Sequence, residues 1–278
     1  MIVQIALRRL APRELTGRLS MALVAVLLVL AVVLPIVGQP HTEQRLIEQL
    51  QGPRAAHPLG TDQLGRDQLS RIAAATRGSL TTVGVVLVIA GVGGGAVGLL
   101  SGYFGGTFDL LLQRAIDAMM AVPLIVLALA VVTAFGASAW TMNGAIAFVF
   151  TPLSVRVARS SALSLRTTGY VESAMVSGAS SLRIITRHLA PGAAGPWSLI
   201  VAAQAGGAVL TEATLSFLGA VPPGGPSLGS LLGGEAQTYM YTAPWLIIWP
   251  GVVLALLALA ANLAGDWLAE KFRAGGGL

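Results

Sequence analysis

The stretch SMALVAVLLVLAVVLPIVG, from Ser20 to Gly38, decides the class of fold because it contains no charged residue. A helix needs about 20 apolar residues to cross the hydrocarbon core of a bilayer, and this stretch has that length. The whole chain agrees with it, since 55% of its 278 residues are hydrophobic and only 10% are charged. An ordinary soluble protein carries about 25% charged residues. We therefore predict an all-α integral membrane protein.

Five further apolar runs follow, so we predict six transmembrane helices in all. The later five are expected over residues 78–108, 109–135, 141–159, 193–218 and 243–265. A cleaved signal peptide is the alternative for the first run, because a basic start followed by an apolar run has that outline. Its apolar region is usually about 7 to 15 residues long, however, so a membrane span is favoured.

The arginines indicate the orientation, because the cytoplasmic flanks of membrane spans are enriched in Lys and Arg. Basic residues precede the first span, lie between the fourth and fifth, and follow the sixth: Arg8, Arg9, Arg13, Arg18, Arg156, Arg159, Arg166, Arg183, Arg187, Lys271 and Arg273. We therefore expect both termini to be cytoplasmic and Gln63 and Gln237 to face outward. Residues 1–72 would form the N-terminal tail, the first span and a long extracytoplasmic segment, and residues 73–270 a five-helix core.

The composition excludes several kinds of chemistry. There is no cysteine, and Lys271, the single lysine, is followed by Phe272, so the chain has no P-loop for binding ATP. The three histidines, His41, His57 and His188, lie far apart in the sequence, which argues against a metal site. The net charge of +5 comes from arginines scattered between apolar runs and does not indicate nucleic acid. We predict no catalytic residue, cofactor or metal ligand in this chain.

A polar insertion, YVESAMVSGASSLRIITRHLAPG from Tyr170 to Gly192, interrupts the apolar runs. Gly178 predicts a turn after a short helix, and Leu182, Ile185 and Leu189 then recur at spacings of three and four. The pattern predicts an amphipathic helix on the cytoplasmic face. Its apolar stripe would be covered by a partner protein or by lipid headgroups, and the pattern alone leaves both open.

Ionisable and polar residues inside the spans are candidates for function, because burying them in lipid is costly. Gln204 and Glu212 lie in the fifth span and either line the pathway or contact a neighbouring helix. Arg114 and Asp117 are three residues apart on one helical face, so we expect them to pair with each other or to reach the interface.

The polar insertion resembles the EAA loop of bacterial ABC import permeases. Glu172 and Ala174 match its acidic start, Gly178 its glycine, and Leu189 with Pro191 its end, while Ser173 replaces the usual alanine. Three further blocks are similar to the dipeptide and oligopeptide permease subfamily: HPLGTDQLGRDQLSR (57–71), GYFGGTFDLLLQRAIDAMMAVP (102–123) and EATLSFLGAVPPGGPSLGSLL (212–232). The four blocks cover most of the chain beyond residue 51.

The resemblance implies a type I ABC importer permease in the bacterial inner membrane, with a coupling loop at 164–192. It implies three partners besides lipid: a second homologous permease, separate ATPase subunits that hold ATP and Mg, and an extracytoplasmic substrate-binding protein. ATPase docking would fall on Glu172, Ser173, Ala174, Gly178, Leu182, Ile185, Leu189 and Pro191.

The cargo implied by the resemblance is a dipeptide or short oligopeptide, with nickel, haem or glutathione as alternatives. From a different class, a self-contained secondary carrier would use Arg114, Asp117 and Glu212 as an ion relay.

Overall fold

The computed structural model describes residues 40–220 and 225–275, together with Ala22, Ala25, Val26 and Val29. From residue 68 onward this part of the chain is mainly helical, whereas the only helical turn that the structure describes in residues 40–67 is the short 3-10 helix Leu46–Glu48. The only extended pairings of the described residues are two isolated bridges within residues 54–67. In chain order the helices are α1 (Gln68–Phe104), α2 (Gly106–Met120), α3 (Leu124–Phe135), α4 (Ala139–Arg166), α5 (Gly169–Val176), α6 (Ser181–Phe217), α7 (Leu228–Leu232), α8 (Glu235–Thr238) and α9 (Trp245–Gly275).

Four of the described helices, α1, α4, α6 and α9, are long and apolar enough to cross a membrane. The bent pair α2 and α3 makes a fifth candidate if it counts as one span. The first predicted span lies outside the described residues, apart from the four isolated positions. The prediction of an all-α membrane fold is confirmed, and the described residues account for at most five of the six predicted spans.

The third predicted span is divided into two helices, α2 and α3, and the sequence pattern did not predict that division. The axes of α2 and α3 meet at 95°, and the break falls at residues 121–123. Pro123 explains the break, because a proline ring disfavours helical backbone at the preceding residue and removes a hydrogen-bond donor. The apolar pattern continues through the bend, so hydrophobicity alone could not show it.

The prediction of a separate surface helix after Gly178 is wrong in one respect. The residues concerned form the first part of α6. The chain runs as one helix from Ser181 to Phe217, with a wide π-helical turn over Ile185–Leu189. Pro191 follows that turn and cannot donate the regular backbone hydrogen bond. The wider turn accommodates the proline without ending the helix.

Glycines let α1 pack closely against α4. Gly94, Gly98 and Gly102 are four residues apart on α1 and are buried. A Cβ atom at Gly102 would lie 2.7 Å from the Cβ of Ala162 on α4. Small residues at this spacing let helix backbones approach in membranes, where the hydrophobic effect does not drive helices together.

The two ends of α1 carry different parts of the chain. At its beginning, Ile72 packs in one cluster with Leu228 of α7, and residues 40–67 reach α9 through the Trp245 Nε1 donor, 3.1 Å from the Thr61 carbonyl oxygen. At its far end, Leu99 packs with residues of α5 and of the start of α6. Residues 40–67 and the EAA-like segment therefore lie at opposite ends of the helical bundle.

Candidate functional site

The EAA-like segment forms a helix, a tight turn and the start of a second helix. Helix α5 ends at Val176, and Gly178 follows it with φ +76°. The backbone N–H of Ala179 donates to the Ala174 carbonyl oxygen at 3.1 Å, closing the turn. The Ser180 side chain then caps the start of α6. Glycine suits the turn because side chains with a Cβ atom rarely adopt a positive φ.

The apolar side chains of this segment divide into a buried set and an exposed set. Ile185 and Leu189 are buried, and they pack in one cluster with Leu99, Ala158 and Ala162 of α1 and α4. The expectation that both would form part of an exposed docking stripe is therefore corrected. The three-and-four spacing reflects packing inside this chain, which a sequence pattern cannot distinguish from packing against a partner.

The exposed side of the segment keeps most of the predicted docking residues. Leu182 is 71% exposed, and Val176, which was not among the predicted docking residues, is 89% exposed. The other predicted residues that lie on the surface or near it are Glu172, Ser173, Ala174, Gly178 and Pro191. Within the described part of the chain, the Glu172 carboxylate has no ion-pair partner. An apolar pair beside an unpaired acidic residue is a surface suited to a protein partner.

Ion pairs join α2 to α4 near the same end of the bundle. Arg159 donates to both carboxylate oxygens of Asp109, at 2.5 and 2.6 Å, and Ser101 also donates to Asp109. Asp117 accepts from Arg156 at 2.7 Å. The predicted pairing of Arg114 with Asp117 is therefore replaced by a pairing between helices. Sequence reasoning missed both pairs because their members are 39 and 50 residues apart.

Glu212 and Gln204 make contacts between helices. The Glu212 carboxylate accepts from the Ser79 hydroxyl of α1 at 2.6 Å and is 1% exposed. The Gln204 side chain donates to the Ser154 hydroxyl at 2.8 Å and to the Phe150 carbonyl oxygen at 3.0 Å, both on α4. We predicted that each of these residues either lines the pathway or contacts a neighbouring helix. In the described structure each of them makes the helix contact.

Residues 40–67 are organised around a buried histidine. His57 is 1% exposed, and its two ring nitrogens lie 2.9 Å from Asp67 Oδ1 and 3.3 Å from Glu48 Oε2. Partial burial raises the pKa of Glu48, but the hydrogen bond and charge of His57 and the charges of Arg54 and Arg45 outweigh it and hold the pKa below its usual value. Asp67 also caps the start of α1 by accepting from the Ser70 N–H at 2.8 Å. These contacts fix the segment on the bundle.

No group of three or more His, Cys, Asp and Glu residues in the described ranges is arranged to hold a metal ion.

Comparison with known proteins adds to this geometry. Residues 94–274 match the family described as binding-protein-dependent transport system inner membrane component. A putative peptide transport system permease protein of Brucella suis is 36% identical over 272 residues, which cover 96% of this chain and 90% of that protein. A dipeptide transport system permease protein of Haemophilus influenzae is 37% identical, and the aligned region covers 72% of this chain and 68% of that protein. A glutathione transport system permease protein of Pectobacterium atrosepticum is 36% identical, and the aligned region covers 79% of this chain and 73% of that protein.

Proposed function

The chain belongs to the family of binding-protein-dependent transport system inner membrane components, and from this premise we propose that it forms the translocation pathway of an ATP-driven peptide importer. It does so together with a second, homologous permease subunit. The cargo is a dipeptide or a short oligopeptide, and the names of the Brucella and Haemophilus relatives support that class. Glutathione is the second candidate, because one relative is named for it and it is itself a small peptide.

The observation that carries the proposal is the construction of the segment from α5 to the start of α6. Its inner side chains are buried against α1 and α4, whereas Val176 and Leu182 face outward. A force applied to the exposed side is passed to the bundle, because α6 continues without a break from Ser181 to Phe217. A separate ATPase subunit docked here would rotate α6 as a lever and change access to the pathway.

ATP and Mg belong to partner subunits in this proposal. The chain has one lysine and no P-loop, so it has no means of its own to hold the phosphates. Its role is to receive motion and not to break a bond. An extracytoplasmic binding protein delivers the cargo at the end that carries residues 40–67. Both chain termini lie on the cytoplasmic side, the side of the coupling segment.

Reconstitution tests the proposal. The permease pair, its ATPases and its binding protein are placed in liposomes, and uptake of radiolabelled dialanine is measured. We expect uptake that requires ATP and the binding protein, and that is unchanged when ion gradients are collapsed. Uptake driven by an ion gradient without the ATPases would instead identify a secondary carrier, and the proposal would be abandoned.

A further inference from the structure

The buried apolar side chains of α1, α4 and α6 form two separate clusters, an outer one and an inner one. On these helices, in that order, the members of the outer cluster that lie nearest to the inner one are Ala90, Val149 and Ala208. The members of the inner cluster that lie nearest to the outer one are Leu99, Ala158 and Ala193. The three helices therefore pass through two packed layers, with a level between them that we call the middle level.

Each of the three helices is weakened at or next to the middle level. Helix α1 is π-helical over Leu87–Gly93 and continues with Gly94 and Gly95. Helix α4 contains Pro152, and α6 contains Pro196. A proline within a helix removes a backbone hydrogen bond, and prolines, glycines and π-helical turns are the usual places where helices bend. Bending there costs less than bending within a layer.

The three weakened stretches lie side by side. Trp197, which directly follows the α6 proline, donates from Nε1 to the Gly91 carbonyl oxygen of α1 at 3.0 Å. Its ring also lies against Gly95, where a Cβ atom would collide with it. Towards α4, a Cβ atom at Gly94 would lie 3.2 Å from the carbonyl oxygen of Thr151, which directly precedes the α4 proline. A bend in one helix can therefore accompany a bend in the others.

A cavity of about 400 Å³ lies beside the middle level, between α1, α6 and α9. Its lining includes Leu87, Val92, Trp197, Val201 and Ala261. Protein interiors hold few voids larger than a water molecule, so the two packed layers resist internal change. The side chains that line the cavity have room to change position.

We propose that the middle level is a hinge, at which the inner layer turns against the outer layer when the ATPases move the coupling segment. The inference rests on the proposed function and locates the end of the α6 lever at Pro196. Trp197 is a positioning residue, because its bond to Gly91 makes α1 and α6 bend at the same level. Gln204 makes the corresponding link to α4, where it donates to the Ser154 hydroxyl at 2.8 Å.

Spin labels test the hinge, because the chain has no cysteine of its own. Pairs of cysteines are placed at exposed positions, two in the inner layer and two in the outer layer: Phe104, Leu163, Trp140 and Leu210. The transporter is assembled in nanodiscs with cysteine-free partner subunits. Pulsed electron paramagnetic resonance compares the distances between labels without nucleotide and with ATP bound to ATPases that cannot hydrolyse it.

Leu163 lies about 16 Å along α4 from Pro152, so a rotation of about 15° moves it by about 4 Å. Distances between an inner and an outer label should therefore shift by as much as about 4 Å. The distance from Phe104 to Leu163 and the distance from Trp140 to Leu210 should stay the same, because each pair lies within one layer.

Trp197→Phe tests the positioning role, since phenylalanine keeps a ring but cannot donate to Gly91. Loss of one hydrogen bond should lower the ratio of dialanine taken up to ATP hydrolysed by about fivefold. A merely structural role would lower thermal stability and leave this ratio unchanged. Trp249→Phe on α9 is the matched control, because Trp249 is also half-buried and its ring has no hydrogen bond among the described residues.

Unchanged distances between the layers, or equal changes within a layer, would overturn the hinge. These distances are measured with Trp197 in place, so they decide the question even if Trp197→Phe does not fold. A wild-type ratio in a folded Trp197→Phe variant would overturn the positioning role of Trp197. Missing ATP-driven uptake of dialanine by the wild-type assembly counts against the proposed function, whereas intact uptake with unchanged distances counts against the hinge alone.

Discussion

Glu172 is the residue at which the coupling proposal can be tested most directly. It lies in the first turn of α5 and is exposed, and within the described residues it makes no ion pair, so a change there leaves the internal contacts of the bundle in place. Reversing its charge should act on the partner surface and not on folding.

We expect Glu172→Lys to weaken retention of the ATPase by about tenfold or more, because a reversed charge at an interface costs several kcal/mol. ATP-driven uptake should fall with it, while thermal stability of the permease pair stays unchanged. Copurification of the ATPase and uptake in liposomes measure the two effects. Glu43→Lys, an exposed charge reversal at the opposite end, is the control. If the Glu172→Lys variant retained the ATPase normally, Glu172 would not be part of the docking surface.

The Ser79 hydroxyl matters because it donates to a carboxylate buried between helices. Replacing Ser79 by Ala removes the closer of the two hydroxyl donors to Glu212, so we expect a loss of about 1 kcal/mol in stability. Thr81→Ala is the matched control on the same helix, since the exposed Thr81 hydroxyl, among the described residues, bonds only to the Arg77 carbonyl oxygen one turn earlier. Chemical unfolding in detergent measures both variants. An equal loss in the two would show that the contact with Glu212 contributes nothing specific.

At the scale of the helix, apolar runs predicted the position of each described span but not its shape. Runs without charge are sufficient to locate α1, α4, α6 and α9, because lipid requires length and apolarity. The bend at Pro123 and the continuity of α6 through Pro191 depend on local backbone geometry and on packing against α1 and α4. The same holds for the apolar side chains at the start of α6. Leu182 and Ile185 belong to one apolar spacing, but Ile185 is buried against the bundle and Leu182 is exposed.

The crossing of α1 and α4 gives a prediction about an element. A Cβ atom at Gly98 would collide with the Val155 backbone carbonyl, which has no flexible side chain to yield. Gly98→Ala should therefore destabilise the protein by about 1 to 3 kcal/mol. Gly84→Ala on the same helix meets nothing within 4 Å and should be neutral or slightly stabilising. Thermal unfolding in nanodiscs compares the two. If Gly98→Ala were as stable as Gly84→Ala, the close approach of the helices would be wrong.

For the whole molecule, the sidedness of the membrane is the property that links residues to transport. The bundle separates residues 40–67 at one end from the α5 segment at the other, so the two must be reached from opposite sides of the membrane. The positive-inside rule favours the α5 end as cytoplasmic, because Arg156, Arg159 and Arg166 lie near it. Gln63 is partly buried, so exposed positions serve better as labels.

The chain has no cysteine, so single cysteines report accessibility without background. Ile47 is 96% exposed at one end of the bundle, and Val176 is 89% exposed at the other. In intact cells, a membrane-impermeant maleimide should label Ile47→Cys and not Val176→Cys, and in inverted vesicles the pattern should reverse. Gln237→Cys, also exposed, should follow Ile47→Cys because α8 lies at the same end. Labelling of Val176→Cys from outside would show that the orientation is the reverse of the one proposed. A cytoplasmic ATPase would then have no access to the segment proposed to receive its motion.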